Sequence, residues 1–130
     1  MAQHRLRVLV VDDNRDAADS LAILLTSWGH ESRITYDGPA ALALAERFRP
    51  DVVCLDLAMP LMNGFELAQQ LRKRDGLAES VYFVLTGNSD EGTRSRCREA
   101  GLKFFLKPVD PEQMRRALEE LDCGLSSALS

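Results

Sequence analysis

Residues 51–67 read DVVCLDLAMPLMNGFEL, and this stretch decides the fold class. Asp51 to Leu55 is a short, mostly apolar run, the pattern of a strand buried on both faces. It stops at Asp56. A loop with Pro60 and Gly64 follows. A helix is then predicted from Phe65 to Arg74, with Leu67 and Leu71 on one face. Strand, acid, loop and helix in that order form one unit of a βα fold.

The same alternation recurs on both sides, giving five units. Upstream, Arg7 to Val11 is a second continuous apolar strand. It leads to a helix from Arg15 to Trp28, whose positions Ala17, Leu21, Leu24 and Trp28 follow the helical period. Asn14 can cap that helix and Gly29 can close it. A weaker strand, Glu31 to Tyr36, precedes an alanine-rich helix from Pro39 to Phe48. Asp37 and Gly38 between them read as a turn. Downstream, Val81 to Leu85 is the fourth strand. The helix after it, Glu91 to Ala100, is poor: it carries Gly92, Arg94, Arg96 and Arg98, and little apolar surface beyond Cys97 and Ala100. Gly101 ends it. Lys103 to Leu106 is the last strand. Asp110-Pro111-Glu112-Gln113 then opens a helix with a cap, a first-turn proline and a capping-box glutamine. Met114, Ala117, Leu118 and Leu121 form its apolar stripe. This pattern predicts a doubly wound α/β domain, a parallel sheet with helices on both faces and right-handed crossovers. Residues 1–122 read as one domain and 123–130 as a frayed tail.

Composition narrows the function classes. The chain has 130 residues, enough for one core. A net charge of −4 gives no sign of the basic excess that nucleic acid or an anionic membrane calls for. No apolar run approaches the roughly 18 residues of a membrane span. Cys54, Cys97 and Cys123 are odd in number and lack C-x-x-C spacing, so free thiols and a reducing cytoplasm are expected.

In a sheet of this kind ligands bind beyond the carboxyl ends of the strands. Asp12 and Asp13 follow the first strand, Asp56 the third, Thr86 the fourth and Lys107 the fifth. Singly, each has a plainer role: helix cap, turn residue, loop lysine. Together they place three carboxylates and an ammonium at one edge. Like charges crowded there repel, and partial burial adds desolvation. A divalent cation removes that cost, and Mg²⁺ takes carboxylate oxygens, keeps waters and coordinates phosphate. If the first and third strands are neighbours, about 5 Å apart, Asp13 and Asp56 can share one ion. Lys107 can balance charge on Asp56 and then on a phosphoryl group. The Thr86 hydroxyl and backbone N–H groups at Leu57 to Met59 and near Gly87 can donate to its oxygens. A carboxylate nucleophile that forms an aspartyl phosphate is the chemistry this set suits.

At these residues the chain resembles the response-regulator receiver domains of two-component signalling. The likeness rests on VLVVDDN, DVVCLDLAMPLMNGFEL, VLTG and FFLKPVD, and it spans Val8 to about Asp122. It implies a five-stranded flavodoxin-like sheet in order 2-1-3-4-5. It implies Mg²⁺-dependent (or Mn²⁺-dependent) phosphotransfer onto Asp56 from a histidine kinase or histidine phosphotransfer protein. By position, Asp12, Asp13, Asp56 and the backbone carbonyl of Ala58 match the metal ligands. Thr86, Lys107 and Phe104 match the phosphate-binding and switch residues, and the Lys107–Pro108 bond is expected to be cis. Such a domain is a switch in the cytoplasm and not a turnover enzyme. It signals to a downstream protein through the face of the fourth helix, fifth strand and fifth helix. Here that face would present Arg94, Arg96, Arg98 and Arg115 or Arg116. Ala58 and Asn88 flank the acceptor at positions that vary in the family, which bears on phosphoryl lifetime.

Two alternatives stay open. A haloacid-dehalogenase-type phosphohydrolase also uses an Asp nucleophile and Mg²⁺, but wants a second Asp where this chain has Ala58. A receiver that has lost phosphorylation and works only as an interaction module would keep the fold without the chemistry.

Overall fold

The computed structural model describes residues 5–59, 61–74, 76–88 and 90–129, with side chains described as far as Leu121. Among them five strands and five helices alternate: β1 Arg7–Val11, α1 Arg15–Ser27, β2 Glu31–Thr35, α2 Gly38–Phe48, β3 Val52–Asp56, α3 Gly64–Arg72, β4 Val81–Thr86, α4 Glu91–Glu99, β5 Lys103–Leu106 and α5 Pro111–Leu129. The strands form one parallel sheet in the order β2-β1-β3-β4-β5. The expected α/β architecture and strand order are both present.

Local chemistry explains where the helices begin. Each starts behind an Asn or Asp whose side-chain oxygen accepts a first-turn N–H. Asn14 accepts from Ala17 at 3.1 Å, Asp37 from Ala40 at 2.8 Å, Asn63 from Glu66 at 2.9 Å, Asp90 from Thr93 at 2.7 Å and Asp110 from Glu112 at 3.0 Å. Asp37 is thus a helix cap and not only a turn residue. Asn63 and Glu66 reciprocate, since the Asn63 amide also donates to Glu66 Oε1 at 2.9 Å. Gly29 and Gly101, after α1 and α4, sit at φ 93° and 73°, where a Cβ would be strained.

Two apolar clusters sandwich the sheet. Val8, Val10, Val52, Cys54, Phe83, Leu85 and Phe105 point toward α1 and α5. Leu9, Val11, Val53, Leu55, Tyr82 and Val84 point toward α2, α3 and the single buried residue of α4, Cys97. Strand alternation alone produces this division.

Three expectations need correction. The core face of α1 is Ala18, Leu21, Ala22 and Leu25, while Ala17 and Leu24 are only partly covered. Both stripes obey the helical period, and packing against β1, β2 and α5 selects the first. β3 and β4 each run one residue further, so Asp56 and Thr86 still belong to the sheet. Their backbones pair whatever the side chain, Asp56 lying opposite Leu85 and Thr86 opposite Leu106. Residues 123–129, read as a tail, continue α5. Gly124 raises the cost of a helix without forbidding it.

Candidate functional site

β1 and β3 are neighbours, with Val11 opposite Leu55. The acids that end them therefore meet at the C-terminal rim. Asp12 extends the series Val8–Val10, Asp56 the series Val52–Cys54, and Lys107 follows Phe105 by two. All three belong to the α1/α5 side. Thr86 follows Tyr82 and Val84, and Phe104 lies opposite Val84, so these two share the other side.

The carboxylates of Asp12, Asp13 and Asp56 each offer an oxygen within 4.8 Å of the others. Asp12 and Asp56 are buried, at 2% and 7% exposure, and Asp13 is open to solvent. Lys107 Nζ lies 2.8 Å from Asp12 Oδ2 and 3.3 Å from Asp56 Oδ2. The remaining oxygens of the buried pair are held by backbone: Asn14 N–H donates to Asp12 Oδ1 at 3.0 Å, and Ala58 N–H to Asp56 Oδ1 at 3.2 Å. Thr86 Oγ1 accepts from Asn88 N–H at 3.1 Å, leaving the hydroxyl proton out of that bond. The Lys107 N–H donates to the Thr86 carbonyl at 2.8 Å, tying β5 to the end of β4. The Lys107–Pro108 bond is cis.

Burial raises the Asp56 carboxyl above its ordinary range, and the positive charge of Lys107 only partly opposes it. Burial pulls the Lys107 ammonium down, but its hydrogen bond to Asp12 and the charges of Asp56 and Asp12 outweigh this and raise it. When all three acids are ionised, Lys107 balances one of three negative charges and two remain. Hard oxygen donors, a residual double negative charge and one solvent-facing member fit a divalent ion that keeps some of its water.

Not all of this was foreseeable from residue order. Lys107 stands closer to Asp12 than to Asp56, a contact across 95 positions of sequence. Asn14 serves twice, its side chain capping α1 and its N–H fixing Asp12. Phe104 is half-buried, and the Arg94 guanidinium lies over its ring, 4.7 Å from the centroid. The other surface arginines are less bare than the sequence suggests. Arg98 pairs with Glu91 at 3.1 Å, Arg115 with Glu119 at 3.2 Å and Arg116 with Glu112 at 3.7 Å. Cys54 and Cys97 are buried free thiols, while the Cys123 side chain lies outside the described residues. Among the described residues no helix is long and apolar enough to cross a membrane.

A parallel sheet ordered 2-1-3-4-5 with three acids and a lysine at its rim defines a class of signalling domain, and comparison with known proteins agrees. The response regulator receiver domain family matches residues 8–119, and the chain belongs to it. It is 42% identical over 104 residues to a response regulator receiver protein of Anaeromyxobacter sp., covering 79% of this chain and 43% of that one. It is 30% identical over 119 residues to PilH of Pseudomonas aeruginosa, covering 91% and 98% of the two chains. Among solved structures, the chemotaxis protein CheY4 of Vibrio cholerae superposes with a TM-score of 0.83 at 28% identity, covering 90% of this chain and 98% of that one. The receiver domain of a sensor histidine kinase of P. aeruginosa, which has a magnesium ion coordinated in its active site cleft, superposes at 0.81 with 26% identity, covering 92% and 98%. The chain spans about half the length of several curated relatives it matches, including the DNA-binding response regulators MtrA at 48%.

Proposed function

We propose that this domain is a phosphoacceptor switch, with residues 1–122 as the receiver unit and Asp56 as the group modified. The observation that carries this reading is the cluster of three carboxylates within 4.8 Å of one another, braced by Lys107. The donor is a phosphohistidine on a histidine kinase or a histidine phosphotransfer protein. One Asp56 oxygen attacks phosphorus as the phosphorus–nitrogen bond breaks. The electron pair leaves on the imidazole nitrogen, which takes up a proton.

The chain's own groups position and neutralise. Asp12, Asp13, Asp56 and the Ala58 carbonyl would hold Mg²⁺ or Mn²⁺. When bound, such an ion supplies positive charge to the phosphoryl oxygens and relieves the repulsion among the acids. Ala58 N–H keeps the Asp56 carboxylate in one orientation. Lys107 shifts its balance from the bare carboxylates toward the phosphoryl group. The Thr86 hydroxyl turns its proton to a phosphoryl oxygen, and Phe104, on the same side of the sheet, follows. The α4–β5–α5 face then reports the change to a downstream protein. The buried free thiols Cys54 and Cys97 accord with work in the cytoplasm.

Incubation with acetyl phosphate and Mg²⁺, followed by intact mass measurement, tests this. Wild type gains one phosphoryl group, while Asp56→Asn gains none and neither does wild type in EDTA. An unmodified wild type that also shows no Mg²⁺ affinity would leave only an interaction module.

A further inference from the structure

α4 buries a single side chain, Cys97, and its Glu91, Arg94, Arg96, Arg98 and Glu99 are exposed. A helix with so little apolar surface needs another hold on the domain, because helical stability in proteins comes mostly from packing. Its arginines supply that hold. Arg94 lies over the Phe104 ring of β5 at 4.7 Å, and Arg96 over the Phe65 ring of α3 at 4.0 Å. The two flank Cys97, so α4 straddles the gap between β5 and α3. Its C-terminal end is fastened separately: Arg72 of α3 donates to the carbonyls of Ala100 and Gly101, the second at 3.1 Å. One end of α4 is therefore tied, through the carbonyls that close it, to the Arg72 side chain of α3, and the other rests on an aromatic face.

That face belongs to Phe104, half-buried and on the Thr86 side of the sheet. We infer that Arg94 is a positioning residue for the switch: it holds the Phe104 ring in its resting seat and couples that seat to the N-terminal half of α4. The inference rests on the phosphoacceptor reading. Cation–π attraction needs the guanidinium over the ring, so a ring that turns inward toward Thr86 gives the contact up. The resting arrangement is favoured by the strength of that contact, which at a partly exposed site shifts an equilibrium by about two- to fivefold. A ligand that prefers the inward arrangement binds more weakly by the same factor. Arg96, on Phe65, anchors the same helix without touching Phe104 and serves as the control.

The test is calorimetric titration of the full chain with beryllium fluoride in Mg²⁺, alongside titration with Mg²⁺ alone. Arg94→Met keeps the aliphatic stem and removes the charge. It should bind beryllium fluoride about two- to fivefold more tightly than wild type, with Mg²⁺ affinity unchanged. Arg94→Lys should fall between the two, and Arg96→Met should match wild type. A purely structural role for Arg94 would not separate the two affinities. Beryllium fluoride affinity in Arg94→Met equal to or weaker than wild type overturns the inference; if that variant does not fold, equal affinity in Arg94→Lys does so. A wild type that binds no beryllium fluoride removes the phosphoacceptor reading itself, and this inference with it.

Discussion

Replacing Gly64 by alanine tests whether the floor of the site is as tightly built as its geometry indicates. Gly64 is the first residue of α3, and its N–H donates to the Leu57 carbonyl at 3.1 Å. A Cβ there would lie 2.7 Å from the backbone oxygen of Asp56, 2.7 Å from Leu55 Cδ1 and 3.0 Å from Leu57 Cα. Two of those three atoms are backbone and cannot rotate away, so either α3 or the end of β3 must shift. Forced overpacking costs about 1–3 kcal/mol, and the better helix propensity of alanine returns at most about 1 kcal/mol. With two rigid backbone atoms in the way the cost falls at the upper end, about 2–3 kcal/mol, so the expected net loss is about 1–2 kcal/mol, which lowers the melting temperature of a domain this size by about 4–8 °C. Gly92 in α4 is the matched control. A Cβ there meets only Asp90 Oδ1 at 3.5 Å, an ordinary contact. Gly92→Ala should gain about 0.5–1 kcal/mol by restricting the unfolded chain. The same chemical change thus has opposite signs at two helical glycines. Thermal and urea unfolding of both variants read it directly. A Gly64→Ala protein as stable as wild type would refute the packing argument. Because the atom struck is the Asp56 carbonyl, Mg²⁺ affinity should fall in the same variant.

Asp56→Asn should stabilise the metal-free protein near neutral pH. A carboxyl raised in the folded state contributes stability that is present below its unfolded value and lost as pH rises through the folded one. Unfolding in EDTA should therefore show the variant above wild type at pH 7 and the gap closing below about pH 4; a less stable variant at pH 7 contradicts the sign. Burial pushes the Cys54 thiol up to about 12, so iodoacetamide at pH 8 should leave the Cys54 peptide unlabelled until urea unfolds the chain. Labelling of the native protein would show the strand to be open. The buried Tyr82 hydroxyl donates to the Leu77 carbonyl at 2.6 Å, and Tyr82→Phe should cost about 1 kcal/mol in urea unfolding, whereas an unchanged midpoint would show that bond to be dispensable.

The sheet was legible because strands buried on both faces read as continuous apolar runs, and VLVV and VVCL leave little choice. The rim residues were legible because chain order places them directly behind those runs. What could not be read was the choice between equivalent patterns and the distant pairings. α1 carries two stripes of the same period, one through Ala17 and Leu24 and one through Ala18 and Leu25, and only tertiary packing chooses. Lys107 could be assigned to the acids but not to Asp12 first, since hydrogen-bond length is settled by backbone placement. The arginines of α4 read as groups on a surface turned to a partner, with no sign of contacts inside the domain. Their stacking on Phe104 and Phe65 depends on the seating of a helix that the sequence barely specifies.

Alternation along β3 and β4 has a mechanical consequence. Asp56 belongs to the half of the molecule under α1 and α5, whereas Thr86 and Phe104 belong to the half under α2, α3 and α4. Five strands of paired backbone insulate those halves from each other along their length. Among the described residues the two halves come close at the rim, where Asp56 and the end of β4 stand about one strand spacing, ~5 Å, apart. On the proposed phosphoacceptor reading, news of a modified Asp56 would pass over that edge to reach α4, through a crossing two residues wide.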